Sequence, residues 1–248
     1  MTFESLENLN GQLAVVTGAN GGIGRAIAHT LARRGAQVVG VTWRNLDDLA
    51  EFMSTLPGTG HQVKLADVRN SDELTALASD LTRCDILVNS AGFSKSIPHK
   101  NLDTLSDEFF DEMLIMNCRA VFSTVRVFES LLTQSKHALI VNISSASALK
   151  PGHGSNIAYV AAKAGVESMT KNLALALAPV VRVVSICPSS VNTGFLTHGQ
   201  EFYDRASEAT PLKRIAVPED VAAVVESVAL TMRYATGDCF VVDGGRIL

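Results

Sequence analysis

The sequence predicts a doubly wound α/β fold, a parallel sheet of seven strands with helices on both faces. Three observations carry that expectation. Short apolar, β-branched runs alternate with longer helical patterns along the chain, the rhythm that a parallel sheet with crossover helices produces. Most of the short runs are apolar throughout, as strands covered on both faces require. A length of 248 residues with 47% hydrophobic content supplies one full core, and no repeat, low-complexity tract or linker divides it, so residues 1–248 read as one domain.

Taken in order, Leu13 to Thr17 is the first strand, and Ile23 to Arg34 is the helix after it, with Ile27, Ala28 and Leu31 on one face. Val38 to Thr42 and Val63 to Ala66 are the second and third strands, and Ser71 is placed to cap a helix through Leu74, Leu77 and Leu81. Ile86 to Asn89, Leu139 to Ile143, Val181 to Ile186 and Phe240 to Val242 complete the seven. The two long helical stretches are Glu108 to Leu132 and Tyr159 to Ala178.

A formal net charge of -4 gives no attraction to phosphate backbones or anionic lipid, so neither nucleic acid nor a membrane is an expected partner and small-molecule chemistry is. Cys84, Cys118, Cys187 and Cys239 are scattered without a C-x-x-C pair, which argues against a zinc site and a disulfide framework; no metal is expected. The N-terminus, with Glu4 and Glu7 and no basic-plus-apolar block, does not read as a signal peptide, and a cytoplasmic protein is expected.

Chemistry enters where the first strand runs into Thr17-Gly18-Ala19-Asn20-Gly21-Gly22-Ile23-Gly24. Glycines there let the backbone turn sharply and approach a pyrophosphate, while the helix behind offers its free N–H groups to the phosphates. Tyr159 and Lys163 stand four apart on one helix and share a face. A cation beside a phenol favours phenolate, the direction that proton transfer at neutral pH requires. Upstream, the fifth strand ends in Ser144-Ser145-Ala146-Ser147, a hydroxyl at the carboxyl edge of the sheet, able to bind a carbonyl and the alkoxide that develops from it. Each feature alone has an ordinary reading, as a flexible loop, a surface pair or a loop serine; their combination carries the weight.

With Asn89-Ser90-Ala91-Gly92, Pro211-Leu212-Lys213-Arg214, Pro218-Glu219-Asp220-Val221-Ala222 and Asp243-Gly244-Gly245 also in order, the whole chain resembles the short-chain dehydrogenase/reductase family, whose fold is Rossmann-like. The resemblance implies that Tyr159 is the catalytic acid/base, that Lys163 lowers its pKa and holds the nicotinamide ribose, and that Ser145 stabilises the substrate oxygen. Ser144 and Ser147 remain alternatives for that last role. It further implies that the backbone carbonyl of Asn117 helps hold a water in the proton route. Cofactor contacts are implied for Gly18, Asn20, Gly21, Gly22, Ile23 and Gly24 at the phosphates, and for Asp67 and Val68 at adenine. Asn89, Ala91 and Gly92 are implied on the ribose side, and Pro188, Val191 and Thr193 at the carboxamide. Two departures from the family's pattern are Ser189, where glycine is usual, and Ser90, where a second asparagine is usual. A homotetramer or homodimer is also implied, with Phe109, Phe122, Val166 and Met169 toward a partner.

At the end of the second strand, Val41-Thr42-Trp43-Arg44-Asn45 carries no carboxylate. Thr42 and Arg44 suit a 2′-phosphate, so NADP(H) is favoured over NAD(H), although Gly21 stands where many NADP users carry a basic residue. The substrate segment spans roughly residues 189–215, with Phe195, Leu196, Phe202 and Tyr203 as candidate lid residues. The expected reaction is hydride transfer between nicotinamide and a secondary alcohol or ketone. Two alternatives stay open: reduction of a 3-oxoacyl thioester on a carrier protein, for which Arg119, Lys136 and Lys171 are the available docking cations, and a catalytically idle dinucleotide-binding sensor.

Overall fold

The computed structural model describes residues 6–150, 156–193 and 200–248. Along them run β1 (Leu13–Thr17), α1 (Gly22–Arg33), β2 (Gln37–Thr42), α2 (Leu46–Ser54), β3 (Gln62–Leu65), α3 (Ser71–Ser79) and β4 (Ile86–Asn89). There follow α4 (Asp107–Leu114), α5 (Ala120–Leu132), β5 (Leu139–Ile143), α6 (Ile157–Leu177), β6 (Arg182–Pro188), α7 (Gln200–Glu208), α8 (Pro218–Leu230) and β7 (Cys239–Val242). The strands form one parallel sheet in the order β3-β2-β1-β4-β5-β6-β7. The order reverses between β1 and β4, and a crevice for a ligand opens at such a switch point, beyond the carboxyl ends of the strands.

Period-two alternation divides the core. In β1, Ala14 and Val16 pack with Ile27 and Leu31 of α1 and Val221, Val225 and Val228 of α8 on one face. Leu13 and Val15 pack with Leu74 and Leu77 of α3 and Val125 and Phe128 of α5 on the other. All five residues of β1, β4's four and β5's five are buried, which is why these strands read as uninterrupted apolar runs. The edge strands β3 and β7 are only partly covered. No described helix is long and apolar enough to cross a membrane.

The structure departs from the sequence expectation at three helices. Asn70, not Ser71, caps α3: its side chain accepts from the N–H groups of Asp72 and Glu73, while Ser71 is already the first helical residue. Asparagine in extended geometry is as good a cap as serine, and its place one residue earlier decides the matter. The stretch from Glu108 to Leu132 is not one α-helix, because a π turn over Ile115–Arg119 separates α4 from α5. The added residue per turn leaves the apolar period readable but re-aims Asn117. Third, α2 was not expected; only Leu49 and Met53 of its nine residues are buried, too few to show a period. Val166 is wholly buried within the chain itself, so it is not on a free face as expected, whereas Phe122 is 43% exposed.

Candidate active site

The site is built from the carboxyl ends of β1, β4, β5 and β6, around a cleft of about 1000 Å³. At β1 the chain turns at Gly18 with φ +65°, and a Cβ there would stand 2.7 Å from Ala91 Cα. A Cβ on Gly24 would collide with the Gly18 carbonyl. Glycine is thus demanded twice, once for the turn and once for the seating of α1 on β1. The cap residue Gly21 offers no side-chain hydrogen bond, and the first turn of α1 holds no acidic residue, so the helix end faces the cleft as an anion site. Asn20 spends its side chain on protein, donating to the Asn45 carbonyl at 3.2 Å and accepting from Arg25 at 3.1 Å. It ties the glycine turn to the end of β2.

At that end, the Thr42 hydroxyl donates to the Arg44 carbonyl at 2.6 Å; its expected donor role toward a phosphate is therefore already taken. The Arg44 guanidinium lies over the ring of Trp43 at 4.9 Å from its centroid and that of Arg69 at 5.2 Å. Arg69 is committed to Asp67, gripping the carboxylate at 2.7–3.0 Å and holding its pKa below the usual carboxylate value. Arg44 has no carboxylate partner among the described residues. Asp67 and Val68 both line the cleft.

Asn89 turns its side chain away from the cleft. Its amide donates to Asn142 Oδ1 at 2.9 Å, and Asn142 donates in turn to Thr170 at 2.9 Å, so the side chain ties β4 to β5 and α6 rather than lining the cleft. The following Ser90, Ala91 and Gly92 do line it. They are set by Thr17, whose hydroxyl accepts from the N–H groups of Ser90 and Ala91 at 3.2 and 3.3 Å. The exchange of asparagine for Ser90 leaves this turn intact because only its backbone is held.

Tyr159 and Lys163 lie on α6 beneath the β5 serines. Ser144 is buried and donates to the Lys163 carbonyl, which removes it as a substrate ligand. Ser145 is near enough to the Tyr159 side chain to lower its pKa, and its hydroxyl stands 2.8 Å from that of the buried Ser147. The order is thus Ser147, Ser145, Tyr159, with Ser147 holding Ser145. Lys163 Nζ donates to the Ile143 carbonyl at 2.8 Å and sits 5.6 Å from the centroid of the Tyr159 ring. Burial lowers the Lys163 pKa to about 8. Desolvation pushes Tyr159 up to about 12, against the lowering effect of Ser145. Lys163 Nζ faces the ring and a main-chain carbonyl, and desolvation sets the direction of the Tyr159 shift.

The π turn brings Asn117 inward. Its amide donates to the carbonyls of Phe93 and Met113 at 3.0 and 3.2 Å, and its buried Oδ1 has no partner among the described residues. A Cβ on Gly92 would lie 2.8 Å from that oxygen and 3.8 Å from Lys163 Nζ, so an acceptor and a cation flank one small polar space. Asn156, which the sequence reading passed over, is fully buried. Its Oδ1 accepts from Tyr159 N at 2.7 Å and its amide reaches Ser94 and the Lys95 carbonyl. Asn156→Ala is expected to cost about 1–2 kcal/mol, as loss of a helix cap does. It should also lower turnover, because the capped turn carries Tyr159; an unchanged denaturant midpoint would show that the cap is dispensable.

On the opposite wall, Pro188, Val191 and Thr193 line the cleft. Ser189 donates its N–H to Val242 O at 3.1 Å, and only Asn45 and Lys213 among described non-glycine residues have positive φ. The loop therefore needs no glycine at 189. Of the candidate lid, Phe195, Leu196 and the side chain of Phe202 lie outside the described residues, and Tyr203 reaches the cleft. So do Arg246 and Ile247 from the chain's end, which no local motif announces.

This geometry has counterparts among known proteins. A family model described as enoyl-(acyl carrier protein) reductase matches residues 18–246. A 3-oxoacyl-(acyl-carrier-protein) reductase from Thermotoga maritima is 30% identical over 249 residues, covering 97% of this chain and 99% of the relative. A doubly substituted short-chain dehydrogenase/reductase from Serratia marcescens superposes with a TM-score of 0.88 at 27% identity, over 97% of this chain and 99% of the other. The chain belongs to the short-chain dehydrogenase/reductase family. Another relative, 2,3-dihydro-2,3-dihydroxybenzoate dehydrogenase from Bacillus subtilis, is 33% identical over 261 residues, covering 98% of each chain.

As a short-chain dehydrogenase/reductase, the protein is a nicotinamide-dependent oxidoreductase, and its cleft fits such a cofactor. The two glycine positions where a Cβ has no room, the uncapped start of α1 and the orphaned Asn117 oxygen suit a pyrophosphate at one end and a hydrated proton path at the other.

Proposed function

We propose that the protein interconverts a ketone and a secondary alcohol with NADP(H), through Ser145, Tyr159 and Lys163. The observation that carries the reading is the placing of Ser145 and Tyr159 together in the wall of one cleft at the end of β5, close enough for Ser145 to lower the tyrosine pKa, so that two hydroxyls can converge on one substrate oxygen. When bound, the nicotinamide supplies or accepts the hydride at the substrate carbon. Ser145, held by Ser147, donates to the substrate oxygen, and Tyr159 gives its proton to that oxygen as negative charge grows there. Lys163, anchored to the Ile143 carbonyl, is placed to hold the nicotinamide ribose. Asn117 and Lys163 border the space through which a water would return a proton to the tyrosine. Gly18 and the start of α1 hold the pyrophosphate, with Gly22, Ile23 and Gly24 presenting their N–H groups.

Arg44, free of any described carboxylate, supports NADP(H). Arg44→Ala is expected to raise KM for NADPH at least tenfold, since a hydrogen bond to a charged group contributes about 1.5–3 kcal/mol, and to leave KM for NADH unchanged. Equal effects on both would remove Arg44 from the phosphate role.

A second reading, reduction of a 3-oxoacyl thioester, is supported by the reductase relative that spans nearly the whole chain. Against a carrier-protein dock, Lys136 borders a separate cavity with Leu6, Asn8 and Arg83, away from the cleft, which leaves Arg119 and Lys171. The reading is tested by following NADPH and NADH oxidation against ketones, 3-oxoacyl thioesters on coenzyme A and on carrier protein, and sugars. Preference for the carrier-bound thioester selects the second reading; cofactor binding with no turnover across the panel would leave an idle sensor. A homotetramer or homodimer packed over the exposed Phe122 belongs to the same proposal, and sedimentation of wild type against Phe122→Glu tests it.

A further inference from the structure

Behind the cleft wall, three ligand-type side chains from three elements converge. Glu167 of α6, Cys187 of β6 and Cys239 of β7 place one carboxylate oxygen and two sulfurs within 4.8 Å of one another. The Cys187 thiol donates to Glu167 Oε1 at 3.2 Å, and Cys239 Sγ stands 2.9 Å from Cys187 Sγ. The other carboxylate oxygen of Glu167 accepts from Ser185 at 2.8 Å. We propose that Glu167, Cys187 and Cys239 form a binding site for one soft divalent cation of the zinc class. This goes beyond the oxidoreductase reading and revises the expectation, drawn from spacing in sequence, that the cysteines would serve no metal.

Strand register separates this from a disulfide. Cys239 stands beside Ser185 and Cys187 beside Val241, so the two cysteines are one strand spacing and two residue rises apart. That puts their Cα atoms ~8 Å apart, beyond the roughly 7 Å that a disulfide bridges without backbone movement. Two sulfurs at ~2.3 Å from a tetrahedral zinc are roughly 3.8 Å apart, so binding would spread the pair from the 2.9 Å seen here. Ser185 completes the arrangement: it orients the carboxylate from behind, as outer-shell partners of metal ligands do. Binding displaces the two thiol protons to solvent and forms two metal–sulfur bonds and one metal–oxygen bond, with no change of oxidation state. The resulting negative charge is met by Lys163, which is coupled to both Cys187 and Glu167. Glu167 lies one turn from Lys163 and Cys187 directly precedes Pro188, so the cation would pin α6, β6 and β7 together at the cleft wall.

The test uses the whole protein, stripped of metal and reduced. Titration with Co²⁺ is expected to give a thiolate-to-cobalt charge-transfer absorption that saturates at one equivalent and is displaced by Zn²⁺. Cys239→Ser should weaken the band and lower affinity at least tenfold, whereas Cys118→Ser should change neither. In the wild type, Zn²⁺ should slow alkylation of Cys239 and not of Cys118, a readout that needs no variant to fold. The proposal is overturned by the absence of a saturable band, by a band that survives Cys239→Ser, by equal protection of both thiols, or by a Cys187–Cys239 disulfide in peptide maps of air-oxidised protein.

Discussion

Tyr159→Phe is expected to lower turnover by about 10³-fold, within the 10²–10⁴-fold that a positioned acid/base contributes, while NADPH binding stays as in wild type. The asymmetry follows from where the hydroxyl sits. It lies beside Ser145, and desolvation pushes its pKa up to about 12, so at neutral pH the group is a protonated donor placed for the substrate oxygen. Removing one oxygen atom leaves the ring, the Asn156 cap on the first turn of α6 and the Lys163 bond to Ile143 in place. A fluorescence titration with NADPH and single-turnover kinetics on the same variant separate the two effects. Retained turnover would hand the proton-donating role to Ser145 or to a water. Equal loss of binding and turnover would make Tyr159 a structural residue.

The sequence exposes what is contiguous. Gly18 to Gly24 and Tyr159 to Lys163 are each one local run, so spacing alone reveals a turn and a shared helix face, and the five inner strands follow from the apolar runs that two-sided burial imposes. What it hides depends on register between distant segments or on a single inserted residue. Asn117 is marked only by the family resemblance; in periodicity it reads as one more position in a long amphipathic helix, because a π turn leaves the apolar pattern intact. Asn89 and the cofactor-lining residues after it share one motif, yet the side chain of Asn89 points into the sheet toward Asn142. Cys187 and Cys239 are 52 residues apart and become neighbours only through the pairing of β6 with β7. Arg246 enters the cleft from the chain's far end with no motif to mark it. Asn156 is the exception that was legible: an asparagine three residues before Tyr159 is a helix-cap signature.

Lys163→Ala is expected to lower turnover about a hundredfold or more and to abolish a pH limb near 8. Its ammonium is buried, donates to a main-chain carbonyl at 2.8 Å, and has its pKa lowered to about 8 by burial. Below that pH the side chain is a cation able to donate to a ribose; as pH rises through it, the charge and one donor are lost. The pH dependence of kcat/KM for NADPH reports groups of the free protein, so it should fall on the alkaline side of about 8. Tyr159, at about 12, lies too high to produce that limb. Lys163→Arg separates charge from geometry, because a guanidinium stays protonated across the range: residual activity with a flat profile to pH 10 assigns the limb to Lys163. A limb that persists near 8 in Lys163→Arg would assign it to another group and leave Lys163 a purely steric anchor between α6 and the end of β5.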